Sequence, residues 1–394
     1  MTAGAPRGSF AVLFTIVFLS IAGTALIVPL LPLYAIAFGV DGVAIGVVLA
    51  VYPLMQLIFS PLWGRWSDRW GRRPVLIASL IGATLSFTVV GAAGSFPVLV
   101  AARIVGGIFA ANIATAQAYA VDITPPERRT RVLGLLGAAF GLGFVVGPAV
   151  GGLLGQFNLS APAYAAAALS LVNVVAALLF LPESRAGART ARPRPALRAA
   201  LRQPAGALAI AVFGLVSLGT SVSHPILPLY AKETVGFGPA ETGLLFTSMG
   251  AVSALSQATI IGRLTRRFGE HVVVLLGLAL LFAGAAAMPP LTVNFGGVGI
   301  VLGMAIITVA EAITAPAATA LVSHAAPLSE QGAILGVGQS AGAGARVVGP
   351  LIGAQVFAAL GAYAVFIGCA IIFAVTLGVA ARAWRAAADR PRVR

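Results

Sequence analysis

Twelve apolar runs divide this 394-residue chain almost from end to end, near 10–37, 42–63, 75–93, 97–121, 131–155, 161–181, 205–231, 240–262, 271–288, 297–322, 332–357 and 361–384. Each is close to the roughly 20 residues a helix needs to cross the hydrocarbon core of a bilayer. Lipid offers no partner to a backbone N–H or C=O, so apolar runs of this length are predicted to be helices, whose backbone bonds are all internal. The expected fold is an all-α membrane protein with twelve transmembrane helices. Little chain is left for a soluble domain, and only 9% of residues are charged, far below the roughly 25% usual in soluble domains.

A net charge of +14 would point to nucleic acid in a soluble protein, but here its distribution decides. Of the 24 arginines, 22 fall in the two termini or in alternate loops, at 64–73, 122–131, 182–203 and 263–270, while the other loops hold almost no cations apart from Lys232. By the positive-inside rule both termini are cytoplasmic. The chain therefore reads as a multi-pass protein of a bacterial inner or plasma membrane, with the lipid bilayer and not nucleic acid as its surroundings. The first span is too long for a signal-peptide core and is followed at once by a second, so it reads as a retained anchor. Cys369 is the only cysteine, which excludes an intramolecular disulfide. His224, His271 and His324 show no metal-ligand spacing. No nucleotide-binding Gly-rich Lys motif, nucleophile elbow or metal pair is present. Neither an enzyme nor a bound cofactor is expected, and energy should come from an ion gradient.

The runs form two related sets of six. The basic loop Gly64-Arg-Trp-Ser-Asp68-Arg69-Trp-Gly71-Arg72-Arg73 returns in diluted form as Gly262-Arg-Leu-Thr-Arg-Arg-Phe-Gly269. Pro29-Leu-Leu-Pro-Leu-Tyr34 returns as Pro225-Ile-Leu-Pro-Leu-Tyr230, Gly147-Pro148 as Gly349-Pro350, and Pro125 as Pro327. These offsets run only from 196 to 202 residues, so few insertions separate the copies. The expected organisation is a six-helix bundle over 1–181, a cytoplasmic linker over 182–203 with six arginines, and a second bundle over 204–394. With six spans per repeat the halves share one membrane orientation, and a substrate site is expected between them near the midplane.

These residues resemble the major facilitator superfamily and, within it, the twelve-span drug/proton antiporter branch, over essentially the whole chain. Gly64, Asp68, Arg69, Gly71, Arg72 and Arg73 fit the family's loop 2–3 motif, and Arg103 with Gly107 its fourth-helix motif. Gly143, Gly147, Pro148, Gly151 and Gly152 fit the fifth-helix antiporter motif, and Tyr119 to Arg129 looks like the tetracycline and multidrug exporters. Tetracycline exporters carry acidic residues inside helices 1 and 3, where this chain has Ser20 and Ser86. The resemblance implies two pseudo-symmetric six-helix bundles and a secondary transporter of small molecules, coupled to protons and working as a monomer. It also implies that Asp68 meets the N-terminal end of helix 11, near Gly332 to Gly336, in one state of the cycle. A carboxylate is favoured by the partial positive charge of a helix N-terminus. Arg72 and Asp122 would complete that cytoplasmic gate. The alternative is a solvated loop whose arginines only set topology, and the matching glycines favour the gate. For Arg103 the resemblance implies a buried contact to helix 1 or 5 and a part in proton transfer, with support of packing as the alternative.

Arg103, Glu311 and Arg346 lie deep in the bilayer, where ionisable groups are costly and default to functional hypotheses. Counted from Pro327 at 1.5 Å per residue, Glu311 and Arg346 differ in depth by less than about one turn. A pair is expected in which Glu311 carries the proton and Arg346 holds it ionised, against the alternative of a permanent structural ion pair. Helical spacing puts Asn112, Thr115, Tyr119 and Asp122 on one stripe, Ser217, Ser221 and His224 on a second, and Thr308 with Glu311 on a third. Gln339 and Arg346 share a fourth. These faces are candidates to line an aqueous cavity; polar stripes also join helices in lipid. The expected function is proton-coupled efflux of small amphipathic molecules by alternating access. Export of sugars or other polar metabolites, or import by symport, are the alternatives.

Overall fold

The computed structural model describes residues 7–183, 204–324 and 331–388, and among them it contains helices and no strand. Most of the expected linker and Pro327 lie outside the described residues. In the first half, α1 (Arg7–Ile27) passes through a short 3-10 turn into α2 (Leu31–Ile36), followed by α3 (Gly42–Trp70), α4 (Arg72–Gly91), α5 (Phe96–Ile108), α6 (Asn112–Asp122), α7 (Arg129–Phe157) and α8 (Ala161–Phe180). The second half holds α9 (Pro204–Val235), α10 (Pro239–Thr259), α11 (Ile261–His324), α12 (Gln331–Leu360) and α13 (Ala362–Ala388).

Among the described residues ten stretches are long and apolar enough to cross a membrane, α5 and α6 together making one of them. Twelve passes result because α11 bends at Gly296 into two spans and because α10, richer in Ser and Thr, adds a pass that is not among those ten. Prolines stand inside α3, α7, α9, α11 and α12, as membrane helices packed among neighbours tolerate. Large apolar side chains such as Phe157, Leu179 and Phe180 point outward, the surface a lipid solvent requires.

The chain forms two compact units: Met1–Ala191 with Phe237–Gly250, and Arg192–Gly236 with Ala251–Arg394. Each has its own core, and the sequence repeat is visible in both. In the first unit α1 packs on α7 and α8; in the second α9 packs on α12 and α13. The Tyr34 hydroxyl donates to the Val90 carbonyl at 3.1 Å, and its copy Tyr230 reaches the Met288 carbonyl at 3.5 Å and Thr292 Oγ1 at 2.7 Å. Gly71 and Gly269, which close the two copies of the basic loop, share one backbone conformation, with φ 102 and 76 and ψ 161 and 163. That region is open essentially to glycine alone.

Candidate functional site

The cytoplasmic motif is built on the junction of α3 and α4. Arg72 is its hub: Nη1 lies 2.7 Å from Asp68 Oδ1, Nε donates to Asp122 Oδ2 at 2.8 Å, and Nη1 also donates to Ser67 Oγ at 2.9 Å. Asp68, Arg72 and Asp122 thus form one cluster, joining the end of α3, the start of α4 and the end of α6. Gly64 and Arg69 are exposed beside it. Arg73 turns the other way, its Nη2 donating to the Leu178 carbonyl at 2.7 Å and its backbone N–H to Glu183 Oε1 at 3.3 Å. Glu183 falls in the segment expected as a linker, and a carboxylate 110 positions from its partner leaves no local signal in the sequence. A Cβ at Gly71 would stand 2.6 Å from its carboxylate, so this glycine is required both for its φ and for the approach of Glu183.

The fourth span is discontinuous. Between α5 and α6, residues 109–111 leave the helical ladder, and four of the backbone groups around the break are met by side chains of neighbouring helices. Trp63 Nε1 donates to the Ile108 carbonyl, Gln56 Nε2 to the Ala110 carbonyl at 3.3 Å, and Ser79 Oγ donates to the Phe109 carbonyl while accepting from the Ala111 N–H at 3.1 Å. Non-helical backbone at membrane depth persists only where it is satisfied in this way. Ser79→Ala is expected to cost about 0.5–1.5 kcal/mol for each of the two hydrogen bonds it removes, leaving the Phe109 carbonyl and the Ala111 N–H only their contact with each other at 2.8 Å. Thermal unfolding in detergent checks this; a wild-type melting temperature would show that the break does not need Ser79.

One and a half turns before the break, Arg103 is only 5% exposed. Its guanidinium carbon sits 4.4 Å from the centroid of the Tyr52 ring, a cation–π contact, and its Nε is buried without a hydrogen-bond partner. Gly107 lets α5 approach α3, for a Cβ there would be 2.5 Å from the Tyr52 carbonyl. The fifth-span glycines do the same for α7. A Cβ on Gly143, Gly147 or Gly151 would run into Ile21, Ala22 and Ala25, or the Leu26 backbone of α1, and one on Gly152 would meet Pro239 and Gly243. Pro148 lies in the middle of that seam.

Asn112 is partly exposed, Thr115 is buried, and Tyr119 is wholly enclosed in the core with Leu13, Leu76 and Leu136, its hydroxyl donating to the Pro182 carbonyl at 2.5 Å. The stripe on this span therefore divides into an open end at Asn112 and a packed end at Tyr119.

In the second unit Glu311 on α11 lies 3.3 Å from His224 Nε2 on α9, close enough for an ion pair but not aligned as a hydrogen bond. Glu311 Oε1, His224 Nε2 and Thr308 Oγ1 are all buried without a hydrogen-bond partner. The expected pairing of Glu311 with Arg346 is replaced by this one. Equal depth fixes the level of two side chains but not the direction each faces, and the face of α11 that carries Glu311 meets α9. Arg346 is exposed on α12 and makes no ion pair among the described residues. Ser217 and Ser221, although on the His224 stripe, face the glycines of α12 at Gly342 and Gly349. Gln339 is exposed on α12.

Comparison with known proteins supplies context for this arrangement. A family model described as Major Facilitator Superfamily matches residues 13–342 and again 209–394. The chain is 35% identical over 349 residues to the class C tetracycline resistance protein of Escherichia coli, covering 86% of each chain. It is 28% identical to multidrug resistance protein 2 of Bacillus subtilis (strain 168), covering 88% of each. Among solved structures, the nucleoside transporter NupG superposes with a TM-score of 0.81 at 14% identity, covering 97% of this chain and 99% of that one; this likeness concerns the fold.

Proposed function

The chain belongs to the major facilitator superfamily and is a multi-pass membrane transporter, and from that premise we propose that it exports small amphipathic molecules against a proton gradient, as a monomer, by alternating access. The observation that carries the coupling is the His224–Glu311 pair, an imidazole and a carboxylate 3.3 Å apart inside the membrane-spanning region. Two groups that each hold or release one proton, with buried atoms that no other group satisfies, are suited to pass a proton on when cargo or water arrives. Thr308, one turn away on the same face, offers a further hydroxyl.

Export is supported by the fifth-span glycines and by the relatives, which are tetracycline and multidrug resistance proteins. In this reading the Asp68–Arg72–Asp122 cluster biases one end of the cycle, and the termini face the cytoplasm of an inner or plasma membrane. The test is dye flux in proteoliposomes of the purified chain with and without an imposed pH gradient. Uphill movement of lipophilic dyes that stops when an ionophore collapses the gradient is the expected result. No movement of any dye, together with gradient-driven movement of sugars, would transfer the assignment to polar metabolites, and accumulation running with the proton would make the chain a symporter.

A further inference from the structure

The membrane-buried part of the first unit contains a cation and no described acid to match it. Its described carboxylates, Asp41, Asp68, Asp122, Glu127, Glu183 and Glu241, all lie at or beyond the ends of the helices. Arg103 is buried, makes no hydrogen bond or ion pair among the described residues, and has Tyr52 as its partner. An isolated charge is among the costliest things to bury, and it is retained where something else supplies the counter-charge.

Tyr52 also lines a cavity of about 20 Å³ that sits at the break in the fourth span, with Phe109, Ala110 and Asn112 from the break itself and Ser20 and Ser86 from α1 and α4. The serine hydroxyls are already committed: Ser86 donates to the Ala102 carbonyl at 2.8 Å, and Ser20 Oγ accepts from Asn173 Nδ2 at 3.2 Å. The Tyr52 hydroxyl and the Asn112 side chain make no hydrogen bond among the described residues. The first turn of α6 starts at Asn112 with no side-chain cap, so it too presents positive partial charge. The Tyr52 hydroxyl, the Asn112 amide and the first N–H groups of α6 can all donate, and with the Arg103 cation nearby they suit an acceptor with negative charge.

We infer that the transported molecule is an amphipathic organic acid whose carboxylate is received at the break in the fourth span by Tyr52 and Asn112, with Arg103, against the Tyr52 ring, supplying the counter-charge. The inference rests on the efflux reading above and names its cargo class. The cavity has room for about one water-sized group, so an acid enters by its carboxylate oxygen while its apolar body stays outside. A cationic cargo would be repelled by the uncompensated guanidinium that lies 4.4 Å from the centroid of the Tyr52 ring.

Binding tests this independently of transport. Dansyl-leucine, its methyl ester and a rhodamine cation are titrated against the full-length purified protein in detergent, with dansyl or rhodamine fluorescence as the readout. The acid is expected to bind at least about tenfold more tightly than its ester, the discrimination one charge-assisted contact commonly gives. Arg103→Gln should erase that preference and Arg103→Lys should restore part of it. Ser20→Asp, which keeps an acceptor for Asn173 while placing a carboxylate on the cavity wall, should weaken the acid and leave the ester unchanged; this variant decides the matter if Arg103→Gln does not fold. Equal or undetectable affinity for acid and ester in the wild type overturns the inference. Gradient-driven flux of rhodamine without acid preference would leave the exporter reading standing and remove this one, whereas acid preference without flux of any probe would remove the exporter reading and leave the acid as a bound ligand, not a cargo.

Discussion

Replacing Glu311 by glutamine is expected to lower pH-gradient-driven efflux by roughly a hundredfold, the scale on which loss of a proton-carrying group is felt, while exchange of cargo down its own gradient persists. Glutamine has nearly the same shape and can still present an acceptor to His224, 3.3 Å away, but it cannot take up or release a proton. A purely structural ion pair makes a different forecast. Removing one partner of a fully buried pair costs about 3–5 kcal/mol. Here the two side chains are 29% and 21% exposed, so the structural loss is smaller, but it would fall on stability and on both transport modes alike. Melting temperatures of Glu311→Gln and His224→Gln, measured beside driven efflux and passive exchange, separate the two. Wild-type driven efflux in Glu311→Gln would show that the proton travels elsewhere.

The partner of Glu311 marks the boundary of what the sequence discloses. The depth of an intramembrane residue follows from counting along a helix of fixed rise, so Glu311 was recognisable as a deep carboxylate. Its azimuth and the identity of the facing helix are set by packing between helices far apart in the chain, and these chose His224 over Arg346. The break in the fourth span was hidden for a related reason: no proline or glycine stands at 109–111, and the side chains that sustain the break, from Gln56, Trp63 and Ser79, come from other spans. Features carried by a residue's own backbone were legible. Gly71 and Gly269 return the same positive-φ conformation where the repeat placed them, and Tyr34 and Tyr230 make equivalent contacts because each copy folds on its own third span.

The fifth-span glycines show how such a feature becomes energy, and Gly151→Ala is the second change expected to have a large effect. A Cβ at Gly151 would lie 2.3 Å from the Leu26 carbonyl oxygen and 2.8 Å from Leu26 Cα. Both are backbone atoms, so no rotamer change relieves the clash; α1 and α7 must separate by about 1 Å, and overpacking of this kind costs about 1–3 kcal/mol. Membrane helices lack a hydrophobic drive to reassociate and depend on close packing, so the loss spreads along the seam from Gly143 to Gly151. A lowered melting temperature in detergent and little or no remaining driven efflux are expected. Gly137→Ala on the same helix is the control, since a Cβ there meets nothing within 4 Å and alanine is the better helix former. The copy at Gly353, where a Cβ would stand 2.6 Å from the Val222 carbonyl oxygen of α9, should behave as Gly151 does. If Gly151→Ala melts with Gly137→Ala and the wild type, the α1–α7 contact is loose enough to admit a methyl group, and the glycines of that seam serve something other than close approach.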